Sequence, residues 1–91
     1  MWSESPQKPL METLGERLAA HRKNRGLTQP ELAEKAGIGL STLVRLETTG
    51  QANVSNLLRV LRTLRLLDRL EDALQLPGKS PLQQLRESQT Q

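Results

Sequence analysis

Apolar residues recur along this chain at helical spacing, and polar or Gly/Pro punctuation divides them into segments. Leu14 and Leu18 mark the inner face of a first helix at residues 11–25, with Thr13 and Glu16 at capping-box spacing and Gly26 as the stop. A second helix opens at Thr28, whose hydroxyl and the carboxylate of Glu31 can each satisfy a backbone donor orphaned at a helix start. Leu32, Ala33 and Ala36 form its stripe, and Gly37 sits where a left-handed residue would end it. With Gly39 as the next N-cap, Ile38 and Leu43 fall at the two positions of a hydrophobic staple, which fixes the entry of a third helix at residues 40–48.

Ser55 reads as the N-cap of a fourth helix, SNLLRVLRTL, in which Leu57, Leu58, Leu61 and Leu64 close a core. The pattern LLDRLEDALQL at residues 66–76 is again helical, with Leu67, Leu70 and Leu74 on one stripe and Pro77-Gly78 behind it. Ser80, Pro81 and Gln83 supply the start signals of a short tail helix carrying Leu82 and Leu85. The expected fold is therefore all-α, with five helices in one domain at residues 10–76, a polar flexible arm at 1–9 and a tail at 77–91. Trp2 in the arm receives no role. Apolar residues from Leu57 to Leu76 exceed what so short a core is expected to hide, which leaves two expectations: part of that surface forms a two-fold dimer contact, or all these leucines are ordinary core.

Two short helices joined by a Gly-containing turn form a helix-turn-helix, whose second helix is built to enter the major groove of DNA. The faces of residues 40–48 differ accordingly. Leu43, Leu46 and Glu47 share one side, and Ser41, Arg45 and Thr48 share the other. Arg45 can bond two guanine acceptors at once, and Ser41 and Thr42 offer hydroxyls to bases or phosphates. Leu40 adds an apolar contact suited to a thymine methyl. On the first helix, Arg22 follows Leu18 on the buried face, where a charge is tolerable only if a carboxylate meets it; Glu47 is that carboxylate.

Residues 27–47, LTQPELAEKAGIGLSTLVRLE, closely resemble the phage-repressor-like (Xre/Cro) helix-turn-helix family. The resemblance implies that Arg22 and Glu47 form a structural ion pair. It also implies that Gln29 either contacts the DNA backbone or braces a reading residue, the contact being preferred because the amides of a helix start favour a phosphate. The loop Gln51-Ala52-Asn53-Val54 lies near where the family grips the phosphate strand, and Asn53 is expected to position the backbone. Three departures stand out. Pro30 falls in a first turn, where its missing donor matters little, Gly39 replaces a Ser cap, and an extra Thr before Gly50 is expected to lengthen the exit loop.

Composition narrows the chemistry more than it directs it. Without cysteine and with one histidine, His21, the chain has no thiolate metal site, disulfide framework or histidine cluster, and no metal or cofactor is expected. No nucleophile with a base and no glycine-rich phosphate cradle is recognisable, so no catalytic residue is assigned and an enzyme is not expected. The net charge of +3 permits an anionic partner without demanding one. A single aromatic leaves no stacking platform for single strands, which points to double-stranded DNA. The first ten residues contain Glu4, Pro6 and Pro9 and no apolar core, so neither a signal peptide nor a membrane span is expected there, and the expected place is the cytoplasm, on the nucleoid.

The arginines Arg59, Arg62, Arg65 and Arg69 recur as a ridge that reads foremost as a solvated face. The segment NVSNLLRVLRTLRLLDRLEDALQLPGKSPLQQL resembles the same region of HipB-like antitoxins. That resemblance implies a dimeric repressor of its own operon, bound to a palindromic operator and to a HipA-type serine/threonine kinase toxin. A stand-alone Xre-type repressor without a toxin, or an interaction adaptor that keeps the fold without reading DNA, remains open beside it.

Overall fold

A computed structural model describes residues 4–75 of the chain. Trp2, Leu76 and the expected tail helix around Leu82 and Leu85 lie outside them. Within them the fold is all-α, with helices α1 (Gln7–Asn24), α2 (Gln29–Ala36), α3 (Leu40–Thr49), α4 (Val54–Thr63) and α5 (Leu67–Ala73).

The second helix starts as its sequence predicts. Thr28 Oγ1 accepts the Glu31 N–H at 3.2 Å, and Glu31 Oε1 accepts the Thr28 N–H at 2.9 Å. Gly37, left-handed at φ 71°, ends the helix, and the Ile38 N–H bonds back to the Ala33 carbonyl at 3.0 Å. Accepting the Thr28 N–H holds the Glu31 carboxyl below its ordinary 4.5. A depressed folded-state pKa means the contribution is fully present above the unfolded value and is lost as pH falls through the lower folded one. Glu31→Gln is thus expected to remove part of the acid sensitivity of thermal unfolding. Melting curves of both proteins from neutral to acid pH check this, and parallel pH profiles would count against the capping box.

Other boundaries move for identifiable reasons. The first helix begins at Gln7 rather than at residue 11, so residues 7–9 belong to its first turn and not to the arm. Pro9 is compatible with that because it stands third in the helix, where no intrahelical N–H is required. Thr13 does not cap anything: its hydroxyl donates to the Pro9 carbonyl at 2.8 Å, one turn back in the same helix. The cap of α4 is Asn53, not Ser55, with Asn53 Oδ1 accepting the Asn56 N–H at 2.7 Å. The extra Thr before Gly50 does not lengthen the exit loop. Thr49 continues α3, and Gly50 at φ 74° ends it. The fifth helix spans Leu67–Ala73, shorter than the 66–76 expected.

Leu32, Leu43, Leu46, Val60 and Leu64 are fully buried and, with Leu18, Ala33 and Ala36, form one core drawn from α1 to α4 and the residue that follows α4. The first helix packs chiefly on α3, while α2 contacts both α3 and α4. Leu57, Leu61 and Leu66 pack at the core's margin, and α5 buries no residue completely. Leu74 stays exposed. Between α4 and α5 the chain reverses at Arg65, which adopts φ 61° while the Leu66 N–H reaches the Leu61 carbonyl at 2.8 Å.

Candidate nucleic-acid interface

Much of what fixes α3 comes from α1 behind it. Gly15, in the middle of α1, lies so close to the last turns of α3 that a Cβ there would stand 2.5 Å from the carbonyl oxygens of Leu46 and Glu47. At the end of α3, a Cβ on Gly50 would collide with the Met11 backbone. These contacts set distance, and an ion pair sets rotation. Arg22 Nε donates to Glu47 Oε2 at 2.8 Å and Nη2 to Oε1 at 3.1 Å, while Nη1 donates to the Leu27 carbonyl at 2.8 Å. Gln29 Nε2 adds a bond to Glu47 Oε1 at 3.0 Å. Among the described residues no buried side-chain nitrogen or oxygen lacks a partner, so the buried charge is fully satisfied.

Burying Glu47 has an electrostatic consequence for the opposite face. The sole carboxylate of α3 is neutralised inside, and the sole cation, Arg45, points outward. Ser41, Arg45 and Thr48 are exposed, Thr42 is half-buried, and Leu40 is 46% exposed. Beside Leu40 lies Val44, also exposed at 38%, one turn further along the helix. Together they give the outer face an apolar strip next to the guanidinium. Val44 was not singled out from the sequence, although its i+4 spacing from Leu40 was there to be read.

The two expected backbone-positioning residues are both held by the protein itself. Gln29 braces Glu47 through its amide nitrogen, so its side chain is tied to the ion pair with one amide proton left over. The amides at the start of α2 are not generally free for a phosphate. Thr28 and Glu31 cap one another and Pro30 has no N–H, which leaves at most the Gln29 amide. Asn53 accepts the Asn56 N–H through its oxygen, a bond that does not use its Nδ2 hydrogens. No acidic residue occupies the first turn of α4, so its N-terminal dipole is not offset there.

Two contacts had no counterpart in the sequence reading. Arg59 Nη1 donates to the Gly37 carbonyl at 3.2 Å and ties α4 to the turn between α2 and α3, so at least one member of the arginine ridge is structural. Arg45 is held as well: Nε and Nη2 both donate to Gln51 Oε1, at 3.2 and 2.6 Å. No group of three or more metal-ligating side chains occurs among the described residues, and no helix there is long and apolar enough to cross a membrane.

The comparison with curated proteins returns no match. Among solved structures, one chain of the SinR protein/SinI protein complex is 28% identical with a TM-score of 0.53, the match covering 85% of this chain and 78% of that one. A family model described as a helix-turn-helix domain matches residues 13–79, which include all of α2, the turn and α3. The chain belongs to this helix-turn-helix domain family.

Proposed function

We propose that the protein is a sequence-specific DNA-binding transcriptional regulator that reads double-stranded DNA with the outer face of α3. The observation that carries this is the division of α3 into a buried, charge-neutralised face and an exposed face bearing one guanidinium, hydroxyls and an apolar strip. Arg45 pairs with a guanine, Ser41 and Thr42 serve neighbouring bases, and Leu40 with Val44 packs on thymine methyls. Asn53 and Gln29 position the phosphate strand, Asn53 at an α4 start that no acidic side chain opposes.

One recognition helix reads few bases, so the protein acts as a dimer on a palindrome, with the half-exposed Leu67 and Leu70 of α5 and the exposed Leu74 just beyond it as the candidate contact. The regulator represses its own operon as the antitoxin of a HipBA-like pair. Support for that finer role is the resemblance of residues 53–85 to HipB-like antitoxins, together with a structural match that is itself a complex of two proteins. A kinase-like reading frame beside the gene, whose product binds the protein, is the expected companion. A gene standing alone favours the Xre-type repressor without a toxin.

The test of base reading is Arg45→Ala on a DNA site selected from a random pool. The substitution is expected to cost about 1–3 kcal/mol on that site and to flatten the preference at one base pair. Equal loss on the selected site and on random DNA would make Arg45 a phosphate contact instead.

A further inference from the structure

Arg45 does not project freely. A single oxygen, Gln51 Oε1, accepts from both Nε and Nη2, at 3.2 and 2.6 Å, although Gln51 lies beyond the end of α3. The loop is folded back to make this possible. Thr49 Oγ1 donates to the Arg45 carbonyl at 2.7 Å and accepts the Gln51 N–H at 3.2 Å, so one hydroxyl links the residue that reads to the residue that holds it. Thr49 is the residue by which this chain departs from the spacing of the family pattern before Gly50. Here Thr49 is the last residue of α3, and the chain beyond Gly50 brings the Gln51 side chain back to Arg45.

A guanidinium has five N–H donors in a fixed fork. Gln51 occupies its side edge, using the Nε hydrogen and one hydrogen of Nη2. The end edge, formed by Nη1 and the other hydrogen of Nη2, stays open, and its two parallel donors match the O6 and N7 acceptors of guanine. An arginine side chain otherwise loses considerable rotamer freedom on binding, so holding it beforehand favours the one orientation that suits a base.

We propose that Gln51 is a positioning residue that presents the end edge of Arg45 to a guanine, making it a determinant of sequence preference without itself touching a base. This rests on the reading of Arg45 as a base contact. It differs from a latch, because the edge needed for guanine is the one Gln51 leaves open.

The test measures affinities of the wild type, Gln51→Ala, Gln51→Glu, Arg45→Ala and the Gln51→Ala/Arg45→Ala double variant. The DNAs are the wild type's selected site and its three single-base-pair variants at the guanine. Gln51→Ala is expected to weaken the selected site by roughly five- to tenfold, the upper part of the ordinary net worth of one solvent-exposed hydrogen bond. It should flatten the preference at the same base pair as Arg45→Ala and add nothing in the Arg45→Ala background. Gln51→Glu keeps the acceptor but adds a charge, so it should lower affinity for all DNA while keeping the guanine preference. Additive losses, or losses equal at all four base pairs, would make Gln51 a backbone contact and overturn the proposal. Tighter binding by Gln51→Ala with unchanged preference would overturn it in favour of a latch. A wild type that selects no sequence would overturn the reading of Arg45 and this inference with it, whereas a selective wild type with additive variants would overturn this inference alone.

Discussion

Replacing Glu47 with alanine is expected to destabilise the fold by about 3–5 kcal/mol, most of the stability of a domain this small. The size follows from what is left behind. The Arg22 side chain is 10% exposed and would keep its charge with two of its three hydrogen bonds removed, those from Nε and Nη2. Gln29 would lose its acceptor as well. A surface substitution ordinarily changes stability by well under one kcal/mol, about 0.5 at most, so the two cases are easily told apart by thermal or urea unfolding. An unperturbed melting curve would show that the pair is not buried in solution as it is here. The converse change is informative. Arg22→Met with Glu47→Leu removes both charges and should recover much of the loss, because desolvating an ion pair offsets most of its attraction. Such a protein would be folded but with α3 no longer fixed in rotation, so its DNA affinity should fall further than its stability.

Gly15→Ala is expected to reverse the usual sign of its substitution. In the interior of a helix, alanine in place of glycine normally stabilises by about 1 kcal/mol. At Gly15 the added methyl would stand 2.5 Å from two backbone oxygens of α3, and backbone cannot swing aside as a flexible side chain does. The helices must separate, and overpacking of this kind costs roughly 1–3 kcal/mol or more. The readout is the direction of the change in melting temperature. A fall agrees with direct backbone packing of α1 on α3, and a rise would mean that the two helices lie further apart. Because the strain falls at Leu46 and Glu47, the same substitution should also displace Arg45, so sequence preference should weaken even where the protein remains folded.

What was legible in the sequence is what local chemistry decides. Thr28 and Glu31 cap a helix with groups only three residues apart, and Gly37 ends it with a backbone angle that glycine adopts freely. The Arg22–Glu47 pair was legible across 25 residues because each charge interrupts an otherwise apolar face. Thr13-x-x-Glu16 misled for the same reason that Thr28-x-x-Glu31 succeeded, since the spacing is identical inside a helix and at its start. The true cap, Pro6, has no side-chain group to announce it. At Arg65 a left-handed turn is made without glycine, so no punctuation marked it.

The less legible features depend on two elements meeting. Gly15 reads in sequence only as a weak spot in a helix, and its reason is the carbonyl face of α3. Gln51 reads as one polar loop residue among several until Thr49 brings it onto Arg45. For Gln29 the family resemblance implies a phosphate contact or a brace on a reading residue, and the structure engages it with Glu47, a partner that the resemblance does not name.

Whether α3 reads DNA sequence is decided by fluorescence anisotropy. The purified protein would be titrated onto DNA from upstream of its own gene and onto a scrambled control over a range of salt concentrations. Tighter binding to the upstream DNA is expected, a preference that persists as salt weakens both complexes, because base contacts add to the counterion-release term that both DNAs share. Equal binding to the two DNAs that vanishes together with added salt would reduce the interaction to backbone electrostatics and leave α3 without a reading role.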